Sequence, residues 1–381
     1  MKKTICYILL AFATCACIYP YDAEMATEVP ERLVVSGDIL IGEESVIDLS
    51  YVMPLSSDIT IERKAPPEAM VIVKSDKGQS LYGQRVKQGR YVVDTRKATE
   101  KARYRLYVKL EDGREYQTPL AVVNGAPKIT DLSYSVDNTH LRLYCSLSGD
   151  AFAWNYGLEY DEVWEYHAYF IPDLLFVDGK YEVHKRFKDF YNCWNSRSSV
   201  EPQFMSAEGQ SENLIEKSNF LTIARTDDRL IDLYSINVTV RGLTTDARAY
   251  LEHVRDGSVG TGDLFTPTPS EMRGNITCIT NPEEQVVGYV SVCKRSSKRI
   301  FINSANVYKS PIDPDSLLFY PEPDEDGNYN LENHFLISSP VFFEGAEPNE
   351  TNVRWGPKRC VDCRAWGGTK TKPDWWPNDD V

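Results

Sequence analysis

The chain has 381 residues, 42% hydrophobic and 12% aromatic, which is ample for packed cores and excludes a disordered chain. Its formal net charge of −14 argues against nucleic acid, because neutralising phosphates takes a basic stripe and none is present. The same charge argues against adhesion of the folded surface to anionic lipid.

The first element is a leader. Lys2 and Lys3 form a positive start, and Ile5 to Ala13 is an apolar run too short to span a bilayer as a mature helix. It reads as a removable export signal. Thr14-Cys15-Ala16-Cys17 then places a small residue directly before Cys17, whereas Cys15 follows the bulkier Thr14. Cys17 is therefore the expected lipidation site, with residues 1–17 as lipoprotein signal peptide. Each buried methylene adds about 0.8 kcal/mol, so a multiply acylated thiol would hold the protein in a membrane. Residues 18–30, with Pro20, Pro30 and several charges, read as a tether.

About 360 residues remain, more than one average domain. Residues 31–124 read as a β-sandwich of short runs, among them Arg32 to Ile41, Ser45 to Val52 and Ala69 to Lys74. In Arg103 to Leu110, Tyr104, Leu106, Val108 and Leu110 alternate with polar residues, which predicts one buried face and one wet face. Asp112-Gly113 supplies a tight turn. About seven strands fit an immunoglobulin-like or fibronectin-like sandwich.

Asn124-Gly125 marks the expected seam, with 125–381 as a second β-rich domain. Leu141, Leu143, Cys145 and Leu147 alternate, as do Trp164, Tyr166, Ala168 and Phe170; Tyr234 to Val240 is the strongest strand. One amphipathic helix is predicted over about 245–256. Ala247, Tyr250, Leu251 and Val254 share a face, Thr244 or Thr245 caps the start and Gly257 closes the end. Asn275 to Cys293 reads as a hairpin turning at Asn281-Pro282-Glu283-Glu284, followed by a short strand at Arg299 to Ile302. Ser310 to Glu350 reads as a long surface excursion.

Six cysteines lie beyond the leader: Cys145, Cys193, Cys278, Cys293, Cys360 and Cys363. An even number in an exported chain predicts disulfides. Cys278 and Cys293 are plausible partners. Cys360 and Cys363 either close on each other, or one of them reaches back to Cys193.

The order of these landmarks resembles the Bacteroidota envelope lipoprotein family of uncharacterised domain "four-two-four-nine". The resemblance is carried by Cys17-Ile-Tyr-Pro-Tyr-Asp-Ala-Glu24, Leu33-Val-Val-Ser-Gly-Asp-Ile39, Val46-Ile-Asp-Leu-Ser50, Cys193-Trp194 and Tyr234-Ser-Ile-Asn-Val238. It continues through Gly274-Asn-Ile276, Gly288-Tyr-Val290, Lys298-Arg-Ile-Phe-Ile302, Cys360-x-x-Cys363, Gly367-Gly368 and Pro373-Asp-Trp-Trp-Pro377. It implies an envelope lipoprotein of Gram-negative Bacteroidota, in a family often encoded beside TonB-dependent outer-membrane receptors. It offers no catalytic residues to carry over.

A search for chemistry finds no cofactor motif. His140, His167, His184, His253 and His334 make no zinc spacing, and Glu165-x-His167 lacks a third ligand. Asp324 to Asn330 carries its glycine fourth rather than sixth, lacks the closing glutamate of a calcium loop, and reads as an Asp-Gly turn. Gly257 to Gly262 follows a helix instead of opening one, so a phosphate cradle is not expected. Four tryptophans crowd the tail: Trp355, Trp366, Trp375 and Trp376. Either they offer stacking platforms to a glycan or peptide ligand, or they are buried as the tail straps across the second domain.

The function expected is a non-enzymatic lipoprotein of the outer membrane, on its cell-surface or periplasmic face. It would serve as an accessory or ligand-binding component of a TonB-dependent uptake system. The alternatives are a surface hydrolase acting on glycans or peptides and a structural or adhesive envelope protein.

Overall fold

The structure is a computed structural model and describes residues 32–53, 64–125, 127–149, 154–184, 188–201, 203–259, 274–304 and 306–377. The leader, Cys17 and the tether lie outside the described residues. Among those described, no helix is long and apolar enough to cross a membrane.

Period-two alternation builds a mainly β protein. In Arg103–Leu110 the expected Tyr104, Leu106, Val108 and Leu110 are the buried set. Seven antiparallel strands of the first module run in the order Leu33–Ser36, Glu44–Tyr51, Arg90–Asp94, Ser80–Lys87, Ala69–Ser75, Arg103–Leu110 and Glu115–Gln117. The right-handed strand twist curls this sheet into a nearly closed, sandwich-like half-barrel.

Closure comes from far along the chain. Thr277–Cys278 pairs with Glu115–Gln117 at one edge, while Val287 bridges Val34 at the other and Val292–Cys293 runs parallel to Ile39–Leu40. Ile276, Val286, Val290 and Val292 join the first core. Gly288 makes the approach possible: its φ is +131°, and a Cβ there would stand 1.9 Å from the Val35 carbonyl oxygen. The hairpin expected over Asn275 to Cys293 is therefore not formed. Its two arms serve different edges, because the unpaired strands nearest them belong to the first sheet.

The second module packs two sheets face to face. One holds Lys128–Val136, His140–Ser148 and Leu214–Ala224; the other runs Asn192–Ser198, Asn155–His167, Leu233–Leu243 and Arg295–Asn303, with Gln203–Ser206 beside the second of these. Leu141, Leu143, Cys145 and Leu147 meet Leu158, Ile236, Val238 and Val240 in the core between them. The strand Arg295–Asn303 follows Val292–Cys293 almost directly, so one run of chain serves both cores. Arg241–Asp38 at 3.3 Å and Arg295–Glu43 at 2.8 Å pin the junction.

The helix spans Thr245–Val259, two residues past Gly257, so that glycine is not its end. Thr244 Oγ1 accepts the Ala247 amide at 3.1 Å as the cap. Ala247 and Tyr250 are buried, while Val254 is half exposed, so the helix covers its sheet with its first two turns. The stretch expected as an excursion over the surface contributes to a further core. Ser338–Phe343 pairs with Val353–Pro357, and Leu174, Phe176, Leu331 and Val353 surround Trp355.

Of the six cysteines, Cys193 and Cys363 form a disulfide with their Cα atoms 5.6 Å apart. Cys145, Cys278, Cys293 and Cys360 are free and buried, which corrects the expectation that they pair. Cys278 stands opposite Tyr116 and Cys293 opposite Leu40, in separate ladders. Burial pushes the Cys145 thiol up to about 12 and that of Cys360 up to about 11, so both behave as small apolar side chains.

Candidate ligand-binding cleft

Alternation along Asn155–His167 puts Glu162, Trp164 and Tyr166 on one face. Their neighbours on the edge strand are Arg197, Asn195 and Cys193 respectively. Of these, Trp164, Tyr166, Asn195 and Arg197 form the floor of a cleft of about 770 Å³, with Glu162 buried beneath it. One wall is the short turn Asp228–Leu230, capped by Asp227, whose carboxylate accepts the Arg229 amide at 3.0 Å. The other wall is the turn Cys363–Trp366 of the C-terminal tail.

Glu162 is fully buried, and every partner it has is a strong donor. Arg229 reaches it at 2.5 Å, Tyr234 Oη at 2.7 Å and Arg197 at 2.8 Å. Arg229 also forks onto Asp227 at 2.8 and 2.9 Å. Burial alone would disfavour the charge on Asp227, yet this fork and the Arg229 amide hold its carboxyl below the usual carboxylate range. Asp228 goes the other way. Desolvation and the charge of Asp227 raise it, against a weaker pull from Arg359.

The tail wall is clamped at several points. The disulfide ties Cys363 to the edge strand, and Tyr166 Oη donates to the Cys363 carbonyl at 2.8 Å. Trp194 and Thr369 exchange backbone hydrogen bonds of 2.8 Å, so the tail pairs with the exposed ladder of the edge strand. Gly368 allows this contact, since a Cβ there would lie 2.2 Å from Tyr166 Oη. Trp366 stacks on Tyr166 with ring centroids 5.6 Å apart and meets Tyr169 edge-on at 5.4 Å. Its indole N–H donates to the Arg359 carbonyl at 2.9 Å, which fixes the ring.

The tail then rounds the edge to the opposite face. There Trp376 is buried against Phe301 and donates to Glu165 at 3.2 Å, while Trp375, half exposed, lies under Arg299 at 3.9 Å. Of the four tail tryptophans, only Trp366 lines the cleft. Trp355 and Trp376 are buried, so of the two readings the ligand-facing one fails for them and burial by the strapped tail holds. Glu165 and His167 do share a face, but Glu165 bonds Asn192 and Trp376, and His167 bonds Asp232 at 2.7 Å. Among the described residues no group of His, Cys, Asp and Glu could hold a metal ion. Asp324 Oδ1 accepts the Asp326 and Asn328 amides, as an Asp-Gly turn does.

Sequence reasoning missed Glu162, Arg197, Asp227 and Arg229. One signal was available. Stepping back two residues from Trp164 and Tyr166 lands on an acid in an otherwise aromatic stripe, and an acid on a buried face demands partners.

Residues 18–299 match the family model described as a domain of unknown function, DUF4249, and the chain belongs to that family. The family is uncharacterised and mostly β. No curated protein matches the chain. Among solved structures, a DUF4785 family protein from Legionella pneumophila is similar at 11% identity and a TM-score of 0.18. The alignment covers 54% of this chain and 51% of that one, so the chain spans about half the length of that protein.

Proposed function

We propose that the protein is an outer-membrane lipoprotein, anchored through Cys17, whose second module binds a ligand in the strap-walled cleft for a TonB-dependent receptor. The first module, read as an immunoglobulin- or fibronectin-type sandwich, holds that cleft away from the membrane. The observation that carries the reading is the cleft itself. Four aromatic side chains and three arginines line it, and its tail wall is clamped by a disulfide and backbone pairing. Rigid aromatic surface with a few fixed polar groups is what a binding site needs. Family membership supports the envelope address.

The test is purification from native membranes after mild crosslinking, with mass spectrometry of the N-terminus. Acylated Cys17 and a co-purifying outer-membrane receptor are expected. An unmodified N-terminus on a soluble protein, or recovery of no receptor, would overturn the reading.

A hydrolase remains the second reading on one observation: neighbouring Asp227 and Asp228 are shifted in opposite directions, as acid and base partners are. Against it, Arg229 occupies both oxygens of Asp227. Release of reducing ends or new peptide termini by the purified protein, abolished in Asp228→Asn, would favour this reading over binding alone.

A further inference from the structure

We infer that the cleft takes a neutral carbohydrate, with one sugar ring laid on Trp366 and its hydroxyls shared between the arginines and the aspartates. The inference rests on the binding role proposed above and names its ligand class.

Charge decides first. The cleft's three arginines are matched by Asp227, Asp228 and the buried Glu162 beneath them. Two of those arginines are already committed, Arg229 to Glu162 and Asp227, and Arg197 to Glu162. An anionic ligand would have to compete with these short internal pairs and sit beside two carboxylates. A cationic ligand would face three guanidinium groups. A neutral ligand meets neither cost.

Donor and acceptor chemistry decides next. Carboxylates only accept and guanidinium groups only donate, so a site that interleaves both suits a group able to do both at once. A hydroxyl is that group, and a sugar carries several at fixed spacing. Asn195, which lines the same floor, also donates and accepts. Trp366, half-buried but lining the cleft, supplies the remaining part. The electron-rich face of an indole attracts the weakly positive C–H edges that a pyranose presents on its flat side.

A peptide fits less well. Extended peptides are usually taken by strand addition to a free edge, and the edge beside the cleft is already paired to the tail through Trp194 and Thr369.

The experiment uses the full acylated chain in detergent, titrated with neutral hexasaccharides of gluco, xylo, manno and galacto configuration. A hexagalacturonate and a mixed-sequence hexapeptide complete the panel, with binding read by calorimetry and tryptophan fluorescence. At least one neutral hexasaccharide is expected to bind. Trp366→Ala should weaken that binding at least about tenfold, as loss of a central aromatic anchor does. Asn195→Ala, which leaves the Trp366–Tyr166 stack in place, should weaken it by a smaller factor. Tyr82→Ala, far off in the first module, should leave it unchanged. Silence across the neutral sugars, equal binding by Trp366→Ala and Asn195→Ala, or preference for the uronate or the peptide would overturn the inference. Receptor co-purification does not depend on the sugar class, so its success or failure judges the binding role separately.

Discussion

In the first module Leu33, Ile47, Val73, Val93 and Leu106 fill the core. In the second, the same kind of strand carries a fully buried glutamate, and the sheet edge is finished by a disulfide and a returning tail. The first module is held by many interchangeable apolar contacts, each individually small. The cleft region is held by a few closures that cannot be exchanged. Redundancy suits a spacer, whereas a binding face needs side chains held in one place, and buried charge with fixed partners does that.

Breaking the closures should therefore cost more than thinning the apolar core. The largest effect is expected from Cys193→Ser with Cys363→Ser. The disulfide joins residues 170 apart, and on the chain-entropy account such a loop contributes about 5 kcal/mol. Urea unfolding of the oxidised protein and the double variant measures it. Glu162→Ala comes next. It leaves the buried Tyr234 hydroxyl without its acceptor and takes from Arg229 one of its two carboxylates, and removing one partner of a buried ion pair costs up to about 3–5 kcal/mol. Ile47→Val, at an equally buried site in the first core, should cost only about 1 kcal/mol in the same assay. Equal losses for Glu162→Ala and Ile47→Val would erase the contrast between the modules.

The smallest effect concerns Asp228. Its folded-state carboxyl is raised, first by desolvation and then by Asp227, so above the unfolded pKa its ionisation opposes folding. Asp228→Asn should raise the melting temperature slightly at pH 7. The gain should vanish below about pH 3, where the carboxyl is protonated in both states. Asp227 has the opposite sign. Its folded pKa is depressed, so its contribution is present above the unfolded value and lost as pH falls through the folded one. A melting-temperature gain for Asp228→Asn that persists in acid would contradict this assignment.

The contrast also separates what the sequence made legible from what it hid. Tyr104 to Leu110 and Leu141 to Leu147 alternate cleanly, so their buried faces could be read locally. Thr244 before a 3.6-residue pattern located the helix, though Gly257 misplaced its end, since the helix runs on to Val259. The hairpin at Asn275 to Cys293 misled because alternation identifies strands and not their partners. Local pattern is equally silent about Glu162 meeting Arg229, 67 residues on, or Cys193 meeting Cys363. Trp355 and Trp366 look alike in sequence. One is a core residue and the other lines the cleft, and only the course of the tail tells them apart.

The central claim is that the tail makes the cleft, and hydrogen exchange with and without reductant tests it most directly. In the oxidised protein the amides of Trp194, Cys363 and Thr369, each bonded across the strap, should exchange slowly. Reduction of Cys193–Cys363 should speed exchange over residues 359–369 and at Trp194 while the strand Arg103–Leu110 keeps its protection. Unchanged protection of the tail after reduction would contradict the claim, and so would equal loss across both modules.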